Sequence, residues 1–199
     1  MKKNNKRLIV IEGFDRCGKD TLLADLEKIS SLMPQVYIMK NDLTGLPSYD
    51  REQEDFLTWL NHYIQFQVNE INNRFNEYDT IIMSRFIISD EVYSLLFNRE
   101  YTTRNYLPRL VDCDIYNFCI NFDNYQEYLD RINMLGDEEA QYDEDYFNKI
   151  NKLYNNVSSN IFNFINDNKL NIIMDYCFLY IKSTTTRLQI LKNFLYEYF

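Results

Sequence analysis

The chain has 199 residues, a length that suits one domain with a sizeable core, and its 46% hydrophobic and 26% charged residues are ordinary for a globular protein. A net charge of −9 argues against a broad basic face for nucleic acid but leaves room for a nucleotide held by a few local cations. No apolar run approaches the roughly 20 residues of a membrane span, and a single histidine, His62, excludes any mechanism that needs two.

Only 4 glycines and 3 prolines leave little material for long linkers. The abundance of Asn and Tyr fits an AT-rich genome, such as that of a virus or phage. Cys17, Cys113, Cys119 and Cys177 show neither CxxC spacing nor paired clusters, and no signal peptide is evident. Reduced thiols in a cytoplasm are therefore expected. The basic opening, Met1 to Arg7, reads as a solvated terminus.

In chain order, Arg7 to Glu12 is a short β-branched and apolar run, expected as a buried strand. From Lys19 to Met33, apolar residues fall at Leu22, Leu23, Leu26, Ile29 and Met33, which is helical spacing. Gln35 to Lys40 is a second strand, and Asp42 to Asp50, with Gly45 and Pro47, a loop. A long helix is predicted over Glu52 to Asn76, with Leu57, Leu60, Ile64, Val68, Ile71 and Phe75 along one face. Thr80 to Ser84 is a third strand. Phe86 to Asn98 and part of Thr102 to Val111 are helical. Ile115 to Asn121 is a fourth strand, followed by a helix over Tyr125 to Leu135 and a loop over Gly136 to Asp143. Glu144 to Asn168 is a long helix, Leu170 to Asp175 a fifth strand, and Thr184 to Tyr198 a closing helix. Five strands joined by helices argue for a parallel sheet covered on both faces, with ligands at the carboxyl ends of its strands. One domain over residues 1–199 is expected, with no internal repeat.

The strongest signal lies at such a carboxyl end. "IEGFDRCGKDTLL", Ile11 to Leu23, spaces Gly13 from Gly18-Lys19 as a phosphate-binding loop does. Backbone N–H groups of such a loop face phosphate oxygens, and the following helix adds its positive end. Gly13, Arg16, Cys17, Gly18, Lys19, Asp20 and Thr21 are thus the candidate residues for the phosphates of ATP, with Lys19 bridging the terminal ones. Asp20, however, stands where a Ser or Thr is expected.

These residues carry a resemblance. "LIVIEGFDRCGKDT" looks like the opening of the thymidylate kinase family. "SRFIISDEVY", Ser84 to Tyr93, is similar to that family's Asp-Arg-Tyr stretch, and "INFDNYQEYLDRI" to the strand and helix before its lid. The resemblance implies a three-layer P-loop kinase fold, with a five-stranded parallel sheet flanked by helices. It implies ATP- and Mg2+-dependent phosphoryl transfer to a deoxynucleoside monophosphate, most of all dTMP. Small nucleotides are then the partners, rather than nucleic acid or membrane, and family members are commonly homodimers.

The resemblance also assigns roles. One design in the family sets a catalytic Arg in the phosphate loop and leaves the lid without cations. This chain has Arg16 in the loop, and residues 136–143 contain no Lys or Arg. Arg16 and Lys19 are accordingly catalytic candidates. Asp15 matches an aspartate near Arg16 and the acceptor's sugar, and a turn-forming Asp is its plainer reading. Arg85 would grip the acceptor's phosphate, where a guanidinium fork suits two oxygens. Tyr93 fits either a sugar-packing aromatic or plain core, and Tyr142 in the lid is a further acceptor-binding candidate. In the family a loop hydroxyl reaches magnesium and an aspartate at the end of the third strand supports it. Here Asp20 and Ser84 hold those positions with carboxylate and hydroxyl exchanged, which makes them the candidate metal site. Thr21 would then be a spare hydroxyl, and an Asp20 that merely caps the first helical turn is the alternative.

Base reading departs from the pattern. An ungapped alignment puts Leu60 and Ile64 where an aromatic and an arginine are usual. A slip of one residue would substitute Trp59 and Tyr63, and Gln67 is the next polar candidate. Two other functions fit the same sequence. A deoxynucleoside kinase would use Asp42 as base for a sugar hydroxyl. A non-catalytic nucleotide binder would explain the changes at residues 20, 60, 64 and 84.

Overall fold

The computed structural model describes residues 6–14, 16–30, 33–40, 56–99, 103–136, 142–170, 172–179 and 189–193. Asp15, Asp42, residues 137–141 of the expected lid and most of the expected closing helix lie outside the described residues.

Strands β1 (Arg7–Gly13), β2 (Val36–Met39), β3 (Thr80–Ser84), β4 (Asp114–Ile120) and β5 (Ile173–Leu179) form one sheet in the order β2-β3-β1-β4-β5. Every pairing is parallel. Every residue of β3 and β4 is buried, and all of β1 beyond Arg7, so both faces are covered, as parallel strands require. The helices are α1 (Lys19–Ser30), α2 (Phe56–Arg74), α3 (Ile87–Leu96), α4 (Tyr125–Leu135) and α5 (Glu144–Asp167), with a 3-10 turn over Arg104–Arg109 before β4. Residues 189–193 are helical as well.

The hydrophobic stripes explain how the helices lie. Leu22, Leu23 and Leu26 bury the inner face of α1. Leu60, Ile64, Val68 and Ile71 do the same for α2, and Phe75 just beyond it is also buried. The α2 stripe therefore belongs to the core and gives no support to helix pairing between copies. Tyr154, Val157, Ile161 and Ile165 seat α5, which packs on α3.

Several boundaries shift by one or two residues, β5 runs on to Leu179 rather than ending at Asp175, and two departures have a clear physical reason. The segment in Thr102–Val111 is a 3-10 turn containing Pro108, which removes a donor that an α-helix needs. The fifth strand begins at Ile173 rather than Leu170. Lys169 takes φ 51°, and the Leu170 N–H bonds to the carbonyl of Ile165, so these residues close the end of α5 instead of opening the strand.

The sheet order places β1 at the centre. The chain leaves it by α1 toward β2, and later crosses from β3 to β4 on its other side. The carboxyl end of β1 is thus a switch point, where open α/β sheets bind ligands. Among the described residues no helix is long and apolar enough to cross a membrane.

Candidate active site

Gly13 ends β1 at φ 129°, and a Cβ there would stand 2.0 Å from the Ile120 carbonyl oxygen, so only glycine fits. Its neighbour Phe14 donates its N–H to Asn121 Oδ1 at 3.2 Å, which ties the loop to the end of β4. The chain then turns through Arg16 at φ 64° and Gly18 at φ 91° into α1. The first-turn N–H groups of α1 have no intrahelical acceptor and form the positive end of the helix. Lys19 is buried and its Nζ folds back into the loop, donating to the carbonyls of Gly13 at 2.9 Å and Phe14 at 2.5 Å. Cys17, within the loop, is buried and in no disulfide, and its Sγ accepts from Lys19 Nζ at 3.7 Å. Asp20 and Thr21 are exposed on the first turn.

Arg85 follows β3 directly, and its N–H bonds to the Ile11 carbonyl at 3.0 Å. Its φ is 56°. Four non-glycine residues among those described have positive φ: Arg16, Arg85, Asn98 and Lys169. Asn98 and Lys169 follow helix ends, where the left-handed conformation is common. Arg16 and Arg85 are the other two, and both lie at the carboxyl edge of the sheet. Strained backbone held in place by surrounding structure is typical of binding sites.

Asp20 and Ser84 line one cleft of about 570 Å3, together with Arg85, Leu23, Ala24, Glu27, Ile38 and Lys40. The carboxylate on α1 and the hydroxyl ending β3 thus face shared space. Among the described residues no group of three or more His, Cys, Asp and Glu side chains could hold a metal ion. Two protein oxygens completed by phosphate oxygens is, however, the habit of magnesium rather than of a closed protein cage.

On α2, Leu60 and Ile64 are both buried in the core and offer no polar group. The neighbouring face of α2 is polar and aromatic. Trp59 and Tyr63 stack with ring centroids 5.5 Å apart, and Gln67 Nε2 donates to Tyr63 Oη at 2.8 Å. Burial pushes the Tyr63 hydroxyl's pKa up, and the charge of Asp90 adds to this while Arg85 opposes it. The Arg85 guanidinium lies over the ring of Tyr93, 5.8 Å from its centroid. Tyr142 stands elsewhere. Its ring meets Phe14 at 5.9 Å and Tyr146 at 4.4 Å, and its N–H donates to Tyr128 Oη. It thereby joins an aromatic cluster that packs against the phosphate loop.

Several buried carboxyl groups beside the site escaped the sequence reading. Glu12 is fully buried in β1, where Oε1 accepts the Phe86 N–H at 3.1 Å and Oε2 shares a hydrogen bond with Ser89 Oγ. Burial lifts its carboxyl above the ordinary range, against the pull of those hydrogen bonds and of Lys19 and Arg85. Asp90 on α3 has a covered Oδ2 with no hydrogen-bond partner. Burial and the like charge of Glu12 hold its carboxyl well above the usual carboxylate range, with Arg85 opposing. Glu91 beside it is instead fully committed, pairing with Arg104 through both carboxylate oxygens. A charged residue directly after the apolar run Leu8 to Ile11, still within the strand, was the available signal for Glu12.

The loop, the switch point and the sheet order define a P-loop kinase fold of the thymidylate kinase type. No family model matches the chain, and no curated protein sequence matches it. In structure it is similar to thymidylate kinase from Candida albicans, with TM-score 0.56 and 15% identity over 96% of this chain and 92% of that one. Thymidylate kinase from Ehrlichia chaffeensis is similar at TM-score 0.56 and 14% identity, over 96% and 99%. Deoxyadenosine kinase from M. mycoides with bound dATP is similar at TM-score 0.51 and 17% identity, over 94% and 98%. At these identities the likeness is one of fold.

Proposed function

We propose that the chain is an ATP-dependent kinase that phosphorylates a deoxynucleoside monophosphate to the diphosphate, with dTMP the foremost acceptor. The observation that carries this reading is the pair of strained arginines, Arg16 in the phosphate loop and Arg85 at the end of β3, at one sheet edge beside the Asp20–Ser84 cleft. The loop amides and Lys19 hold the donor's polyphosphate, Lys19 exchanging its loop carbonyls for phosphate oxygens. Arg16 offsets charge on the transferred phosphoryl group, and Arg85 holds the acceptor's phosphate in line with it. Asp15 belongs near the acceptor's sugar. Tyr93, and the Trp59–Tyr63–Gln67 face of α2, wall the acceptor side. Asp20 and Ser84 would hold Mg2+, and a bound ion there supplies positive charge that offsets the carboxylate and the phosphates. The partners are small nucleotides, the compartment the cytoplasm, and the lid over residues 136–143 belongs to the same catalytic domain.

Arg85→Ala is expected to raise KM for the monophosphate by about tenfold or more, and to leave KM for ATP nearly unchanged. Steady-state kinetics with each substrate varied in turn reads this. Equal effects on both substrates would assign Arg85 a structural role instead.

One observation favours a second reading, a deoxynucleoside kinase. Asp90 lies close enough to Arg85 to feel its charge, and its covered Oδ2, which lacks a hydrogen-bond partner, suits a hydroxyl or amino donor of a nucleoside. ADP formation from ATP with thymidine as acceptor, set against that with dTMP, separates the two. Turnover on dTMP but not thymidine supports the monophosphate kinase, and the reverse supports the nucleoside kinase.

A further inference from the structure

Four buried oxygens run in sequence from the acceptor side to the phosphate loop. Ser89 Oγ meets Glu12 Oε2 in a short hydrogen bond, and it lies 3.1 Å from Tyr154 Oη. Tyr154 Oη in turn donates to the Gly13 carbonyl at 2.9 Å. Glu12 and Tyr154 are 0% exposed and Ser89 is 1% exposed, so the three side chains satisfy one another inside the protein.

Three links need three hydrogens. Ser89 and Tyr154 bring one each, and the Gly13 carbonyl brings none. The third has to sit on Glu12. Its other oxygen, Oε1, accepts from the Phe86 N–H, which leaves Oε2 as the hydroxyl oxygen. An ionised Glu12 would leave one of the three contacts as two oxygens with no hydrogen between them.

We propose that Glu12 is a neutral carboxylic acid, and that the directed chain Glu12 to Ser89 to Tyr154 to the Gly13 carbonyl is a positioning relay for the phosphate loop. The consequence for the loop rests on the phosphate-binding reading given above. The Gly13 oxygen has two lone pairs, one taken by Tyr154 and one by Lys19 Nζ at 2.9 Å. Once Lys19 turns to phosphate, Tyr154 alone keeps that carbonyl from swinging toward the anion it would repel. The relay also joins three elements, since Glu12 lies in β1, Ser89 in α3 and Tyr154 in α5.

The charged and titratable groups around Glu12 come from every side. Lys19 of α1 and Arg85 after β3 favour ionisation, while Asp90 of α3 opposes it, and Tyr63 of α2 and Tyr154 of α5 face the same space. Burial outweighs the two cations and raises the Glu12 pKa. The sign for stability follows. A carboxyl favoured in its protonated form by folding contributes stability that is full at low pH and is lost as pH rises through its raised value. Glu12→Gln, whose amide donates to Ser89 and whose carbonyl accepts from Phe86, removes that slope and keeps the relay.

The test uses the full chain in two arms, neither of which needs turnover. The infrared difference spectrum of wild type minus Glu12→Gln at neutral pH is expected to show the C=O stretch of a protonated carboxyl. Its absence overturns the proposal. Hydrogen exchange of the amides of residues 13–20 is expected to quicken roughly fivefold to tenfold in Tyr154→Phe and Ser89→Ala, the effect of one lost buried hydrogen bond, and to stay within about twofold of wild type in Glu12→Gln. Loop exchange unchanged in Tyr154→Phe overturns the positioning role. A calorimetric ATP titration of the wild type is run beside them. If ATP does not bind while both arms succeed, the kinase reading fails and the relay stands.

Discussion

Arg16→Gln lowers turnover by about a hundredfold or more while ATP affinity changes little, as expected for a contact that strengthens in the transition state. As the γ-phosphoryl group departs, charge spreads over its equatorial oxygens, and a cation fixed beside them acts most strongly then. Arg16 occupies the loop itself at φ 64°, a conformation held against the steric preference of a side-chain-bearing residue. The expected lid, residues 136–143, carries no Lys or Arg that could serve instead. Glutamine keeps most of the length and some hydrogen bonding but removes the charge. Single-turnover rates at saturating ATP, with ATP affinity measured separately, read the split. A variant as active as wild type would remove Arg16 from the chemistry.

The second large effect concerns the reversed pair at the magnesium position. Asp20→Ser is expected to cut magnesium-dependent transfer by about a hundredfold, and Ser84→Asp added to it to restore much of the loss. Asp20 is exposed at the start of α1 and Ser84 is buried at the end of β3, yet both line the same cleft. An oxygen donor set of one carboxylate and one hydroxyl keeps its total charge whichever side supplies the carboxylate. The double variant is therefore a charge-neutral exchange, and its activity as a function of Mg2+ concentration is the readout. A double variant no better than Asp20→Ser would show that the two positions do not share an ion, and would leave Asp20 as a cap on the positive end of α1.

Much of this architecture can be read in the chain because its local signals agree. The β3 run TIIMS and the α4 span Tyr125–Leu135 have the boundaries their periodicity predicts. The α4 end is marked by Gly136 in the left-handed conformation. The fifth strand was displaced because the closing turn of α5 takes Lys169 and Leu170, a backbone event that hydrophobicity does not encode. The glycine turn after β1 and the place of Arg85 after β3 were legible because glycine spacing and a cation after an apolar strand are local features. Glu12, Asp90 and Tyr154 were not, because their importance arises from burial against residues far away in sequence. Tyr154 meets a carbonyl 141 positions earlier. The alignment of α2 was ambiguous by one residue; Leu60 and Ile64 turn inward, and Trp59, Tyr63 and Gln67 form the neighbouring polar and aromatic side.

The central claim is phosphoryl transfer from ATP to a nucleoside monophosphate, and the most direct measurement is ADP formation across all common nucleoside monophosphates with and without Mg2+. Turnover on at least one deoxynucleoside monophosphate, dTMP foremost, that requires both the acceptor and the ion is the predicted result. ATP binding without ADP formation on any acceptor would contradict it and would make the chain a nucleotide binder on a kinase fold.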